Sequence, residues 1–360
     1  MDEARDVVLI SFPFAAGVAL AQFCPLSLFH YALTAVAVLM LLALAGVLRG
    51  RVWYGLLFFA AGVLCGSTGS TVGAGMAADP SWPAGPAVFH RALARTDALI
   101  RSIPFPHGET NALLRALLTG LRDGLPRETV ASFRAAGASH ILALSGLHLG
   151  IIYLLLSKLL AVLGNGRVAY VLRSVVVVAA CAFYALMTGA GPSIVRALLF
   201  ICINELMRHA PGRRKSPVAV WCIALLVQLV ISPWVIRSVG FQLSYLAMLG
   251  IFLVLPWLDA FYEKPARGWS PMRWIWSSMA LSISCQVFTA PLVWLRFGTF
   301  PKYFLLTNLL ALPLTSLLMF AAVPLLLLTF AGLSPSWLIW LTDTLALALE
   351  KCLFIIAALN

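Results

Sequence analysis

Apolar runs of about 18 residues or more recur from one end of this chain to the other, the length that a hydrocarbon layer roughly 30 Å thick demands of a helix. Inside a bilayer each backbone amide must be satisfied within its own segment or in a closed barrel. Repeated runs of this length therefore predict helices that cross and recross a membrane. Composition agrees, since 62% of the 360 residues are hydrophobic and 11% are charged, against about a quarter charged in an ordinary soluble domain. The expected fold class is all-α, a polytopic transmembrane helical bundle with short amphipathic surface helices.

Apolar length and helix breakers place spans near residues 7–23, 29–48, 52–72, 141–163, 168–188, 193–207, 218–231, 240–261, 274–295, 303–330 and 337–359. At the length each crossing needs, that makes about eleven spans. The run at 303–330 contains Pro313 and Pro324, which lack an amide donor and are expected to kink or break it. One extended hydrophilic stretch, 74–140, interrupts the pattern and is too short for a sizeable core of its own. Residues 79–86 read as loop, while 111–120 and 126–136 carry the pattern of two short helices at the membrane surface. Asp2, Glu3 and Asp6 outweigh Arg5 at the start, the wrong sign for a signal peptide, so the first run is expected to be a retained span.

The net charge of +12 fits either a nucleic-acid surface or the enrichment of Lys and Arg in cytoplasmic loops. Basic residues cluster in the loops at 49–51, 167, 208–215 and 264–273, against Arg237, Arg296 and Lys302 on the opposite side. Taking the basic side as cytoplasmic puts the amino terminus inside, and residues 74–140 and the turn at 189–192 outside. Most of the eleven tryptophans fall near span ends, where interfacial anchoring explains them. The seven cysteines are scattered singly, with no CxxC pair and no histidine at metal spacing. They predict neither a disulfide framework nor a zinc site, and no cofactor is expected.

Polar groups inside spans are costly and mark function by default. Between Ser139 and Gly150, His140, Ser145 and His148 interrupt an apolar run. If the helix is continuous there, positions 140, 144 and 148 share a face and both imidazoles contribute to one polar lining. The plainer alternative leaves His140 at the interface and His148 hydrogen-bonded between helices. The segment Thr188-Gly189-Ala190-Gly191-Pro192-Ser193-Ile194-Val195-Arg196 is a glycine-rich turn with Pro at a helix start. Such a start presents unpaired amides to anions, and Ser193 with Arg196 on one face adds a hydroxyl and a fixed cation suited to phosphate. Against this, Arg196 could snorkel or pair with Glu205, although nine residues put those two on opposite faces of a straight helix. Gln242, the 286–291 stretch and Asn308 bring further amides or hydroxyls into spans. Each could bond between helices, while their recurrence favours a polar interior. Ser145 beside His148 also suggests an intramembrane serine protease, but such enzymes bring Ser and His together from different helices. His30, His90, His107 and His209 lie near span ends or in the loop, so no enzyme is expected.

Several motifs then fall in order: Ala116-Leu117-Leu118-Thr119-Gly120-Leu121-Arg122, Leu125-Pro126-Arg127-Glu128, Ala136-Gly137-Ala138-Ser139-His140, Leu144-Ser145-Gly146-Leu147-His148, the turn from Gly189 to Ser193 with Arg196-Ala197, Gly240-Phe241-Gln242-Leu243-Ser244, and Thr289-Ala290-Pro291-Leu292 through Asn308 to Pro313. Together they resemble the ComEC/Rec2 family of competence proteins over about residues 111–325. The resemblance implies a multi-pass channel component of the bacterial cytoplasmic (inner) membrane that admits single-stranded DNA during natural transformation. It divides the chain into N-terminal spans (1–73), a short external linker (74–110) in place of the family's OB-like domain, a competence-type channel domain (111–330) and a C-terminal transmembrane helix (331–360). The sequence shows no counterpart of the metallo-β-lactamase-like domain of many relatives, so strand degradation by this chain is not expected. Implied partners are single-stranded DNA, membrane lipid, DNA-receptor, nuclease and helicase proteins, and further copies of the chain. The expected DNA path is lined by His140, Ser145, His148, Ser193, Arg196, Gln242 and Asn308, with Arg115, Arg122, Arg127 and Arg134 at its entrance. Two alternatives remain open: a small-anion or metabolite transporter, since Pro-interrupted helices are common in carriers, and a degenerate member that depends on a separate nuclease and helicase.

Overall fold

The computed structural model describes residues 2–24, 51–73, 87–164, 166–208, 216–262, 270–298 and 302–359, with Thr34, Ala37, Val38, Met40 and Leu41. The expected loop at 79–86 and, those five positions apart, the expected span at 29–48 lie outside the described residues. Among the described residues every regular element is helical. In chain order these are α1 (Asp2–Phe23), α2 (Arg51–Gly73), α3 (Ala87–Ser102), α4 (Gly108–Thr119), α5 (Arg127–Ala135), α6 (Ser139–Leu142) and α7 (Gly146–Leu159). There follow α8 (Arg167–Met187), α9 (Pro192–Arg208), α10 (Pro217–Ile231), α11 (Val239–Leu253), α12 (Leu255–Ala260), α13 (Pro271–Phe297), α14 (Phe304–Phe330) and α15 (Ser336–Ala358). Short 3-10 turns at Leu160–Leu163 and Pro233–Arg237 follow α7 and α10.

Among the described residues five stretches are long and apolar enough to cross a membrane: Arg5–Phe23, Val168–Met187, Val239–Ala260, Pro271–Phe297 and Phe304–Phe330. Shorter apolar helices occupy Trp53–Ser67, Gly146–Val162 and Pro217–Ile231. The chain is thus a helical protein built for a membrane.

Four local features differ from the sequence expectation. The segment from His140 to His148 is not one helix. Ala143 (φ −80°, ψ 131°) and Ser145 (φ −123°, ψ 169°) are extended and separate α6 from α7. Conversely, α14 runs unbroken through Pro313 and Pro324, because neighbouring helices hold it on both sides of each missing amide. The helix α4 is no surface element, for Leu113, Leu114, Ala116, Leu117 and Leu118 are buried. Finally, α3 stands where no helix was expected, its inward face closed by Ile100.

The helices group into two compact units, residues 1–84 with 199–248 and residues 85–198 with 249–360. In the first, α1 lies so close to α2 that a Cβ added to Gly17 would sit 2.0 Å from the Phe59 carbonyl oxygen, and one on Gly62 2.1 Å from that of Phe14. Small residues permit this approach, and van der Waals packing rather than hydrophobic exclusion holds such pairs in lipid. The Gln22 side chain crosses the same seam to donate to the Gly66 carbonyl at 2.6 Å. On α10, Gln228 accepts from the Tyr245 hydroxyl at 2.9 Å.

In the second unit α4, α5 and α6 are enclosed by α14 and α15. Leu113, Leu117, Phe133, Leu318, Met319, Leu349 and Leu353 form one continuous core. The Thr307 hydroxyl on α14 donates to the Ala136 carbonyl just past α5 at 2.7 Å. Asp343 on α15 is buried and receives the Thr110 hydroxyl at 2.6 Å, with His107 Nδ1 2.8 Å away. Its carboxylate therefore stands at the amino-terminal end of α4, where a helix presents unpaired amides and favours negative charge.

Candidate functional site

The start of α7 is built by its own sequence. Ser145 is the N-cap, and its hydroxyl accepts from the backbone N–H of His148 while the His148 side chain accepts from the backbone N–H of Ser145. This is a capping box in which imidazole replaces the usual Glu or Gln. The second bond, Ser145 N–H to His148 Nδ1, spans 3.1 Å, and the Ser145 Oγ lies 2.9 Å from the same nitrogen. Because Nδ1 accepts a backbone proton, the neutral ring carries its own proton on Nε2. His148 is 1% exposed, and that Nε2 has no hydrogen-bond partner among the described residues.

The start of α9 is equally local in origin. After α8, Gly189 (φ 86°) and Ala190 (φ 48°) take left-handed backbone, and Ala190 N–H bonds the Ala185 carbonyl at 2.7 Å. That pattern terminates helices. Gly191 then receives the amides of Ile194 and Val195, both at 3.0 Å, and Pro192 opens α9 with φ already set for a helix.

These two starts meet. A Cβ on Gly146, the first residue of α7, would lie 3.2 Å from the Ala197 Cβ, 3.7 Å from Arg196 Nη2 and 4.0 Å from the Ser193 carbonyl oxygen. A side chain at this position would push Ala197 back by a few tenths of an ångström, so glycine eases the approach of the first turns of α7 and α9. The junction gathers two helix starts, each with partial positive charge, and the guanidinium of Arg196. Glu205 pairs with Arg208 at 3.0 Å. Ser145, His148, Ser193 and Arg196 are therefore brought together, and the arrangement favours an anion.

The model of the Competence protein family matches residues 117–360, the part of the chain that contains this junction. The chain belongs to the Competence protein family. Among curated relatives of the ComEC/Rec2 group, Recombination protein 2 of Haemophilus influenzae is 29% identical over 224 residues, which is 60% of this chain and 28% of that protein. Competence protein ComA of Neisseria gonorrhoeae is 28% identical over 249 residues, 64% of this chain and 34% of its own length. ComE operon protein 3 of Bacillus subtilis is 29% identical over 145 residues, 40% of this chain and 18% of the relative. The chain thus spans about a third or less of these relatives. No solved structure matches.

The other candidate residues of this competence-family protein each have their own local surroundings. His140 is exposed on α6, its Nδ1 3.2 Å from the Gly137 carbonyl, and shares no helix face with His148. Gln242, on α11, donates at 2.7 Å to the Ile236 carbonyl of the preceding 3-10 turn, which is a local task. Asn308 is half-buried on α14. Of the entrance arginines, Arg127 and Arg134 are exposed on α5, and Arg122 is exposed while donating to the Leu142 carbonyl at 3.1 Å. Arg115 differs from all three. It is buried on α4, bonds the Asp97 carboxylate and donates to the Asp123 carbonyl at 2.6 Å. Burial raises the Asp97 pKa, but hydrogen bonds and charge from Arg115 and Arg101 outweigh it and hold the carboxyl below its ordinary value.

The sequence reading passed over Asp343 and its partners His107 and Thr110. A signal existed, since Asp343 lies inside a run expected to cross the membrane, where an ionisable side chain is a functional candidate with a partner to be found.

Proposed function

We propose that this protein crosses the bacterial cytoplasmic membrane with about eleven spans and serves there as a channel component that admits single-stranded DNA during natural transformation. The observation that carries this reading is the junction of α7 and α9, where Arg196 stands beside Gly146 and two helix starts converge. Helix starts and a fixed cation suit phosphate, and contact with backbone phosphates is indifferent to base sequence, as import of arbitrary DNA requires. Ser145, His148, Ser193, Arg196 and Asn308 are assigned to the path, with Arg122, Arg127 and Arg134 at its entrance. Arg115 is assigned to holding α3 and α4 together. The contact between Ser145 and His148 is assigned to helix capping, with no catalytic step. Strand degradation and the driving force are assigned to separate nuclease and helicase partners.

The test is a deletion strain complemented with the parent or with Arg196→Leu, scored for labelled DNA that passes the inner membrane and for transformants. Loss of both signals in the variant, with normal membrane insertion, is expected. Normal transformation by Arg196→Leu removes that residue from the path. Unimpaired import in the deletion strain rejects the import reading, and a growth defect on a small anionic nutrient in that strain points to a carrier instead.

A further inference from the structure

The helix α3 is amphipathic with both faces accounted for. Its inward face packs on protein: Phe89 contacts the Phe183 ring at 5.6 Å between centroids, the Thr96 hydroxyl reaches the Met187 sulfur at 3.8 Å, and Ile100 is buried in the core. Its outward face exposes His90, Arg91, Arg95 and Arg101. The helix contains one carboxylate, Asp97, and that group is turned to Arg115 on α4 and to Arg101. Arg91 bonds nothing beyond the Ala87 carbonyl of its own first turn, and Arg95 forms no hydrogen bond or ion pair among the described residues. The only acid of α3 is thus taken up by Arg115 and Arg101, and among the described residues Arg91 and Arg95 have no carboxylate partner.

Arg91 and Arg95 are one turn apart and side by side, and from Arg91 to Arg101 the row extends about 15 Å along the helix axis. A linear polyanion complements such a row. A helix that binds lipid must offer its apolar face to the acyl chains, and here that face is occupied by α8 and the core.

We propose that the outward face of α3 is a docking surface for the phosphate backbone of single-stranded DNA, a collecting platform separate from the junction at Arg196. The inference rests on the import reading and adds to it a surface lying before residue 117, where the family match begins. Arg91 and Arg95 each neutralise one phosphate. His90 and Arg101 flank them, Arg101 with its charge partly offset by Asp97.

The experiment uses the full chain in nanodiscs of zwitterionic lipid and a fluorescein-labelled 30-mer of oligothymidylate, with affinity measured across a salt series. The double variant Arg91→Gln/Arg95→Gln is expected to bind more weakly and to flatten the slope of log K against log salt by about 1.4, the value for two phosphates on a single strand. Arg91→Lys/Arg95→Lys is expected to keep the parental slope, since charge rather than shape is required. An unchanged slope in the Gln variant, with normal elution of its nanodiscs, overturns the docking surface while leaving the import reading intact. A difference seen only in discs containing phosphatidylglycerol also overturns it, identifying lipid headgroups as the occupant. Failure of the parent itself to bind the oligonucleotide rejects the docking surface and the import reading together.

Discussion

The hydroxyl of Thr110 donates to the buried carboxylate of Asp343 across 2.6 Å, although 233 residues of chain separate them. This bond and the neighbouring contact from His107 bind the first turn of α4 to the first third of α15. Removing one partner strands the other in a dry environment, so Asp343→Ala is expected to destabilise the protein by about 1–3 kcal/mol. The double replacement Thr110→Val/Asp343→Leu is expected to cost less than the sum of the single changes. A double-mutant cycle from unfolding in detergent measures the difference.

The seam between α1 and α2 admits no methyl group at Gly17 or Gly62. At Gly62 an added Cβ would fall 2.1 Å from the Phe14 carbonyl oxygen, and backbone cannot rotate out of the way as a side chain can. Gly62→Ala is expected to force the two helices apart and to lower stability by about 1–3 kcal/mol. Gly55→Ala, where the nearest atom is 3.8 Å away, is the control expected to be tolerated. Thermal aggregation in detergent distinguishes the two.

Asp97 ties stability to acid. Its carboxyl titrates below the ordinary value when folded, so the unfolded chain binds its proton first as pH falls. The stabilisation is complete above an unfolded pKa of about 3.9 and is lost as pH drops through the lower folded value. Denaturation midpoints are expected to be insensitive to this group between pH 5 and 7 and to decline below about pH 4. Asp97→Asn, with Arg115 left without its carboxylate, is expected to be weaker at pH 7 and to lack that share of the acid decline.

His148 and Ser145 are open to a discriminating pair of substitutions. Gln supplies the acceptor that a capping box normally uses at this position, so His148→Gln is expected to retain both fold and DNA uptake. His148→Ala and Ser145→Ala each remove half the cap and are expected to cost about 1 kcal/mol. Reduced but measurable uptake by Ser145→Ala is the expected result, whereas its abolition in a folded variant would make the hydroxyl a reacting group.

The long apolar helices of this protein were legible because length and apolarity mark them directly. The run expected at 218–231 is α10, Pro217–Ile231, and the glycine-rich turn before Pro192 begins α9 as its residues dictate. Contacts between distant segments were not legible in the same way. Nothing local to Arg115 indicates that Asp97 will occupy its guanidinium, and nothing near Asp343 announces Thr110. The break at Ser145 was hidden for a different reason. Ser139 to Gly150 has helical periodicity, yet a Ser three residues before a His offers the backbone a cap, and the cap prevails over periodicity. The proximity of Gly146 to Arg196 was also beyond reach, because it depends on how two helices pack rather than on either one.

Pro313 and Pro324 leave the carbonyls of Leu309 and Phe320 without the amide that would normally meet them four residues on. Eleven residues separate the two prolines, which is three turns and a remainder of about 20°, so both open carbonyls fall on one side of α14. The column that carries much of the second unit is thereby weakened twice along a single edge, and any flexing at either point leans it in the same direction.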